Sequence, residues 1–197
     1  MAIPGAPGKR DAARALGRCH GAIFLSLFGG AWLLLAAYAF GRLTALAALL
    51  IAAGAALFVM TAMRFRRRCG KIAEGAFPDG ERRRNDRIFG IVNAVTWISV
   101  ALVFQLLPRL GYKDLAFPAV ALLVGLHFFP MPPLYRHPAN LVVGACMVVW
   151  AILCPLLFHG DRMIGFVASG AGFVLWVGAA SALMTASHLL EESPPPK

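Results

Sequence analysis

One histidine of this chain, His127, lies well inside an apolar stretch, and its type and neighbours favour chemistry. His127 stands in the run 115–134, which holds no Asp, Glu, Lys or Arg. Pro130, Pro132 and Pro133 follow it, and each proline removes an N–H and frees a carbonyl, so a helix should kink or unwind here. A titratable imidazole beside a broken helix is typical of proton, metal or substrate sites in transporters. The alternative is a neutral histidine that is hydrogen-bonded to a neighbouring helix and only holds the packing together.

Partners for His127 follow from depth in a membrane. Asn93 and Thr96 occupy the inner half of the third apolar stretch, near the level of His127. Another group of polar residues is spaced i, i+4, i+7 near the end of the chain and shares one helix face. If that face turns inward, it lines a polar cavity open to the cytoplasm; otherwise its hydroxyls bond back to carbonyls of their own helix. The candidate polar site comprises His127, Asn93, Thr96, Ser181, Thr185 and His188.

The chain lacks the patterns on which membrane enzymes and metal centres depend. No Asp or Glu lies inside any apolar stretch, and no His-Glu-x-x-His is present. A haem would need two histidines facing each other at similar depth, and only His127 and His188 qualify. The four cysteines contain no Cys-x-x-Cys, and two of them, Cys19 and Cys69, should face the reducing cytoplasm. We therefore predict no enzyme, no cofactor and no metal site.

Six apolar stretches must position these residues. Each is about 18 residues or longer, enough to cross a hydrocarbon core about 30 Å thick. Because such a core offers no water to backbone groups, each stretch should be a helix. Hydrophobic residues make up 59% of the chain and charged residues 14%, which excludes an ordinary soluble domain. We predict an all-α polytopic transmembrane bundle of six helices. The spans are 21–40, 43–63, 88–108, 115–134, 141–158 and 163–190.

The basic residues predict how the spans are oriented. Fifteen of the 19 Lys and Arg residues fall before the first span, between the second and third, or after the fourth or sixth. Positive residues near span ends are retained in the cytoplasm, so both termini should be cytoplasmic. Short connections make successive helices antiparallel neighbours, which gives three hairpins. We predict one transmembrane domain, 1–197, with flexible cytoplasmic tails at 1–18 and 191–197 and a basic cytoplasmic loop at 64–87.

The basic loop accounts for the net charge of +10 without nucleic acid. Its cations lie beside two helix ends, where each attracts anionic lipid head groups by roughly 1 kcal/mol. An acidic cytoplasmic partner is the alternative occupant. The predicted head-group contacts are Arg66, Arg67, Arg68, Arg82, Arg83 and Arg84.

Small residues predict where the helices touch. Because lipid gives no hydrophobic drive between helices, close packing depends on Gly, Ala and Ser at a spacing of four. Gly90 with Ala94 has this spacing, and Gly29-Gly30 and the run 52–56 offer similarly flat surfaces. These surfaces predict a compact bundle and also suit the contact face of a homo-oligomer.

The segment Val124-Gly125-Leu126-His127-Phe128-Phe129-Pro130, with Leu134-Tyr135 closing the span, resembles a loosely defined group of uncharacterised bacterial integral membrane proteins. Their likeness to it lies in a predicted hairpin topology and a Gly-x-His-Phe-x-Pro signature in the fourth helix. The resemblance implies a six-helix membrane protein but no substrate and no mechanism. The many Ala, Gly and Arg residues are typical of a GC-rich bacterium, which would place the protein in the inner membrane.

Two functions of different classes are consistent with these patterns. The first is a small transporter or permease-like protein with a polar site around His127, near the cytoplasmic side. The second is a non-catalytic interaction or scaffold protein that binds lipid or a partner protein through the basic loop and the small-residue faces. The first depends on His127, whereas the second depends on the arginines of the loop.

Overall fold

The computed structural model describes residues 8–70, 72–73, 79–130 and 139–191, and nearly all of them are helical. Within these ranges there is no β-strand. A 3₁₀ turn at Lys113–Leu115 precedes the fourth of the six α-helices in these ranges. Numbered in chain order, the helices are α1 Lys9–Ala39, α2 Ala45–Gly70, α3 Asp79–Arg109, α4 Ala116–His127, α5 Ala139–Leu157 and α6 Gly160–Glu191.

Five of these helices are long and apolar enough to cross a membrane, as in an integral membrane protein. A helix satisfies its own backbone hydrogen bonds, so these segments need no water along their length. The membrane-length segments lie in α1, α2, α3, α5 and α6 and run over 11–39, 45–70, 87–109, 139–157 and 162–189.

The remaining helix, α4, is shorter than the predicted fourth span. It has 12 residues, which is about 18 Å at about 1.5 Å per residue. After His127 the N–H groups of Phe128 and Phe129 donate to carbonyls three residues back, each at 3.2 Å, as in a tightened last turn. Pro130 follows and has no N–H with which to continue the helix. The predicted break therefore falls directly after His127, and residues 131–134 of the predicted span lie outside the described residues.

Several helices extend beyond the segments that hydropathy alone delimits. α1 begins at Lys9, inside the predicted tail 1–18, and α2 continues to Gly70, inside the predicted loop 64–87. Arg and Lys are good helix formers whose long side chains reach water, so a helix need not end where the apolar residues end. The arginines of the predicted loop consequently stand on terminal turns of α2 and α3. The outermost residues of both predicted tails lie outside the described ranges.

The contact between α1 and α6 is the most extensive in the bundle. The two helices run antiparallel, and their backbones approach because Gly29 lies against Gly172 and the Trp176 ring, where a larger side chain would collide. The Trp176 indole N–H donates to the Ser26 carbonyl at 3.0 Å. A partly buried indole needs such an acceptor, so this bond fixes the ring in the glycine-lined gap.

Several helix ends meet at one end of the bundle, which we name the inner end. Near the start of α1, Arg18 donates through Nη1 to the carbonyl of Thr185, near the end of α6, at 3.3 Å. The last turn of α2 joins them, because Cys69 shares a buried cluster with Cys19 and Ala186. The start of α1 and the ends of α2 and α6 therefore lie on the same side.

α4 and α5 pack through glycine on glycine. A Cβ on Gly125 would lie 2.9 Å from Val148 Cγ2 and 3.1 Å from the Gly144 carbonyl oxygen, and one on Gly144 would lie 2.8 Å from the Gly125 carbonyl oxygen. The two helix backbones are thus in contact, which only residues without side chains allow. α5 is tied to α6 in turn, since the Trp150 indole N–H donates to the Phe166 carbonyl at 2.8 Å.

α3 lies at the edge of the bundle. It packs mainly on α4, where Phe104 meets Phe117 edge-to-face at a centroid distance of 5.5 Å. No residue of its most apolar 18-residue segment is buried. Large side chains such as Ile91, Val95 and Ile98 are exposed, as befits a helix that faces lipid. α3 therefore contributes little to the core and is held chiefly through its α4 face.

Candidate functional site

The Thr96–His127 pair joins α3 to α4. Thr96 Oγ1 lies 2.9 Å from His127 Nδ1, and the same hydroxyl donates to the Val92 carbonyl, also at 2.9 Å. Because a hydroxyl carries one proton, both contacts are hydrogen bonds at once only when Thr96 donates to Val92 and accepts from the Nδ1–H of His127. A neutral imidazole with its proton on Nδ1 has a free lone pair on Nε2. The pair therefore presents a basic nitrogen that suits a proton, a polar solute or a metal ion.

His127 is half-buried and is the last residue of α4. Its ring meets Phe128 edge-to-face at a centroid distance of 5.8 Å and an interplanar angle of 84°. The last carbonyls of a helix lack intrahelical partners and carry the negative end of its dipole. A basic nitrogen and a carbonyl-rich helix end thus occur together, which favours cations and hydrogen-bond donors over anions.

The α3 side of this site includes Asn93. It lies one turn before Thr96, so the i, i+3 spacing places both on one face of α3, and both side chains are half-buried. Trp97 adds an aromatic contact with Phe28 of α1, with ring centroids 5.8 Å apart. The Thr96–His127 pair is therefore accompanied by a second polar side chain and lies near a contact of α3 with α1.

The predicted polar stripe on α6 takes part in a different contact. The Thr185 hydroxyl donates to the Ser181 carbonyl at 2.7 Å, which is the bonding back to its own helix expected as the alternative. The Thr185 carbonyl accepts from Arg18, and among the described residues no hydrogen bond joins Thr185 to His127. The six predicted residues thus fall into two groups. Asn93, Thr96 and His127 belong to α3 and α4, while Ser181, Thr185 and the exposed His188 follow one another along α6 toward the inner end.

Arg18 is a polar residue at the inner end that the sequence pattern does not distinguish from its neighbours. Its side chain is half-buried, and its Nε is buried with no hydrogen-bond partner in the described part of the chain. Arg14, one turn earlier, instead pairs with Asp11 at 3.1 Å. A position directly before an apolar stretch indicates only a membrane edge, so sequence alone does not tell which arginine turns onto α6.

Two cysteines form another feature of the inner end. Cys19 on α1 and Cys69 on α2 lie in one buried cluster, and both side chains are 0% exposed. Ala15 and Ala186 pack around them, so three helices close over the pair. The sequence predicts that both cysteines face the cytoplasm. In the structure neither side chain is in contact with solvent, because the small neighbours let the helices approach. All four cysteines of the chain are free thiols.

The described residues bring no set of metal ligands together. No group of three or more His, Cys, Asp or Glu side chains converges within these ranges. His20, which lies near the inner end, is bonded through Nδ1 to the Leu16 carbonyl of its own helix at 3.0 Å. The polar site around His127 is therefore the arrangement on which a function can be built.

The predicted head-group contacts stand on helix ends. Cations on the last turn of a helix are favoured by the helix dipole, as the arginines of α2 are. Arg82 and Arg83 belong to α3, but their side chains lie outside the described part of the structure. The side chains that are described are all exposed, namely Arg66, Arg67, Arg68 and Arg84.

The residues of the Gly-x-His-Phe-x-Pro segment have separate structural roles. Gly125 lets α4 touch α5, His127 bonds Thr96, and Pro130 follows the end of α4. The segment thus places a histidine at the end of a short helix that is seated on a glycine contact. No family model, curated protein or solved structure matches the chain.

Proposed function

We propose that this chain is a small, non-enzymatic membrane transporter whose binding site is centred on His127. The observation that carries the proposal is the 2.9 Å contact between Thr96 and His127, which links the peripheral α3 to the end of the short α4. Secondary transporters build solute sites where a helix is interrupted inside the membrane. Burying a polar pair inside apolar segments of a membrane protein also costs free energy. Such residues commonly mark solute or ion pathways, which supports a functional role.

The chemistry of the groups narrows the ligand class. The Nε2 lone pair and the carbonyl end of α4 are both electron-rich, and no acidic side chain lies in the apolar part of either helix. A proton or a small solute with hydrogen-bond donors suits this site, and an anion does not. Because α3 buries little surface, it can shift against α4 without opening the core, which gives the site a way to be reached.

Replacing His127 with Ala is expected to leave folded protein in the membrane and to weaken its ligand-dependent behaviour. A hydrogen bond to a charged or polarised group contributes about 1.5–3 kcal/mol, so affinity should fall about tenfold or more. The measurement uses full-length protein in liposomes, with proton flux followed by trapped pyranine and with thermal stabilisation scored against a panel of small solutes.

The matched variants separate this role from packing. Thr96→Val removes the partner of His127 at nearly constant volume and should weaken the same response. Ser181→Ala removes a hydroxyl from the α6 stripe and should leave the response unchanged. If His127→Ala responds to the whole panel as the unmodified protein does, the proposed function is wrong.

We also propose that the chain crosses the membrane six times, with both ends in the cytoplasm of a bacterium. Two observations support an even number of crossings. The start of α1 and the end of α6 lie on the same side, and an even number of crossings therefore needs α4 in addition to the five helices of membrane length in the described residues. Most Lys and Arg residues flank the ends assigned to the cytoplasm. The bacterial inner membrane follows from the composition and from the resemblance of the fourth span.

Reporter fusions test this topology. Alkaline phosphatase fused after Arg42 or Arg109 should be active because it reaches the periplasm, and fused after Arg87 or Arg136 it should be inactive. A green fluorescent protein fused at the same sites should give the opposite pattern. One reversed site would require a different number of crossings.

A second candidate function is a non-catalytic membrane protein that binds lipid or a partner protein. It is favoured by the exposed arginines at the end of α2, which stand clear of any acidic partner in the described residues. The two candidates differ in the residues they need. Loss of His127 should affect only the transporter, whereas neutralising Arg66, Arg67 and Arg68 should affect only the binding protein.

A further inference from the structure

α1 and α2 enclose an apolar groove that opens sideways from the bundle. Its volume is about 480 Å³, and the residues that line it include Gly30 on α1 and Ala52, Ala56 and Val59 on α2. The helices meet where Gly30 faces Ala55, and the short side chains around this contact leave the space unfilled. Ala52 and Ala56 are exposed, so the groove opens on the surface that a bilayer would cover. An apolar gap in that position loses dispersion contacts unless a hydrocarbon chain occupies it.

The inner end of the groove is marked by a positive side chain on the same helix face. Val59, Met63 and Arg66 are spaced i, i+4, i+7, and Arg66 Nη1 lies 4.0 Å from Met63 Sδ. Seven residues separate Val59 from Arg66, which is about 10 Å along the helix. On α1, the exposed His20 stands seven residues before Leu27, another lining residue, and so shares its face. α2 contains no Asp or Glu that could neutralise the arginine.

We propose that this groove binds one acyl chain of an anionic phospholipid whose phosphate is held by Arg66, with His20 beside it. The groove supplies a slot for hydrocarbon, and Arg66 supplies a charge-assisted hydrogen-bond donor at the level where the head group would lie. A second copy of this chain is a poorer occupant. Two copies in one membrane have the same orientation, so the arginine-rich ends of their α2 helices would meet at one level and repel.

The role of Arg66 at the inner end of the groove is tested by native mass spectrometry of the full-length protein. The detergent contains equal amounts of phosphatidylglycerol and phosphatidylcholine with identical acyl chains. We expect phosphatidylglycerol to be bound about fivefold more, since one cation near the surface contributes that factor. Arg66→Gln should remove the preference and Arg66→Lys should keep most of it. Arg68→Gln makes the same change in charge about 2.5 turns beyond Val59, on the opposite face of α2, and should keep the preference.

Occupation of the groove by an acyl chain is tested in the same experiment with two leucine variants. Ala56→Leu fills the groove and should abolish the adducts of both lipids. Ala53→Leu adds the same volume at an exposed position of α2 that does not line the groove, and the adducts should persist. Equal binding of the two lipids, or equal effects of Arg66→Gln and Arg68→Gln, would show diffuse attraction and overturn the proposal. An added mass equal to this chain that disappears in Ala56→Leu would assign the groove to a dimer instead.

Discussion

Oxidation with copper–phenanthroline is expected to join α1 to α2 through a disulfide between Cys19 and Cys69 in most molecules. The two side chains share a buried cluster closed by Ala15 and Ala186, so little movement is needed to bring the sulfurs into bonding distance. Each disulfide releases two protons and passes two electrons to two Cu(II) ions. With a protease site inserted between Arg42 and Leu43, in the connection between α1 and α2, the cleaved chain should stay in one band on a non-reducing gel and separate after reduction.

Single serine variants identify the bond. Cys19→Ser and Cys69→Ser should each abolish the link, because a serine oxygen cannot replace either sulfur. Cys146→Ser should leave it intact, since that residue is exposed on α5. If the oxidised and cleaved protein still separates into two fragments without reduction, α1 and α2 do not meet at the inner end in the described way.

Replacing Gly125 with Leu is expected to destabilise the protein more than any other glycine-to-leucine change in α3 or α4. A Cβ there would stand 3.0 Å from the Val148 backbone nitrogen and 3.1 Å from the Gly144 carbonyl oxygen, and backbone atoms of α5 cannot move aside as a flexible side chain can. Overpacking of this kind costs about 1–3 kcal/mol. For a chain of this size that lowers the unfolding temperature by roughly 2–4 °C per kcal/mol, measured by a thermal scan in detergent.

Gly90 is the matched control for this change. It is also helical, but a Cβ on it would have nothing within 4 Å, although its spacing to Ala94 predicts a helix contact. Gly90→Leu should therefore raise the unfolding temperature slightly or leave it unchanged, because glycine inside a helix is destabilising by roughly 0.5–1 kcal/mol relative to alanine. Equal losses at Gly90 and Gly125 would mean that α4 and α5 are not in backbone contact.

The helices and the break in the fourth span could be predicted from sequence because the constraints on them are strict. A hydrocarbon core leaves the backbone no partner but itself, so long uncharged stretches must be helical. Pro130 cannot donate a hydrogen bond, so the end of α4 at His127 follows from chemistry that is local in the sequence. Counting residues from the cytoplasmic ends also placed Thr96 near the level of His127, and the structure joins them at 2.9 Å.

The rotation of each helix could not be predicted. A helix that is apolar on all sides carries no period that distinguishes its inner face from its lipid face. The hydroxyl of Thr185 is satisfied within α6, so it provides no polar drive toward His127. The rotation of α6 is set by the fit of side chains, because Trp176 enters the gap at Gly29. No sequence pattern predicts that these two residues are in contact. The burial of Cys19 and Cys69 has the same origin.

The dominance of the α1–α6 contact has a consequence for the order in which the protein is made. The bond from Trp176 to Ser26 joins residues 150 positions apart. At about 5–20 residues per second, a ribosome takes roughly 8–30 s to add that many residues. During this interval the face of α1 that contains Gly29 has no α6 to pack against, although α2 is already beside it. α6 therefore completes the core: a chain released before α6 is made lacks the core residues from Met163 to Leu183, which bury that face of α1 in the full chain.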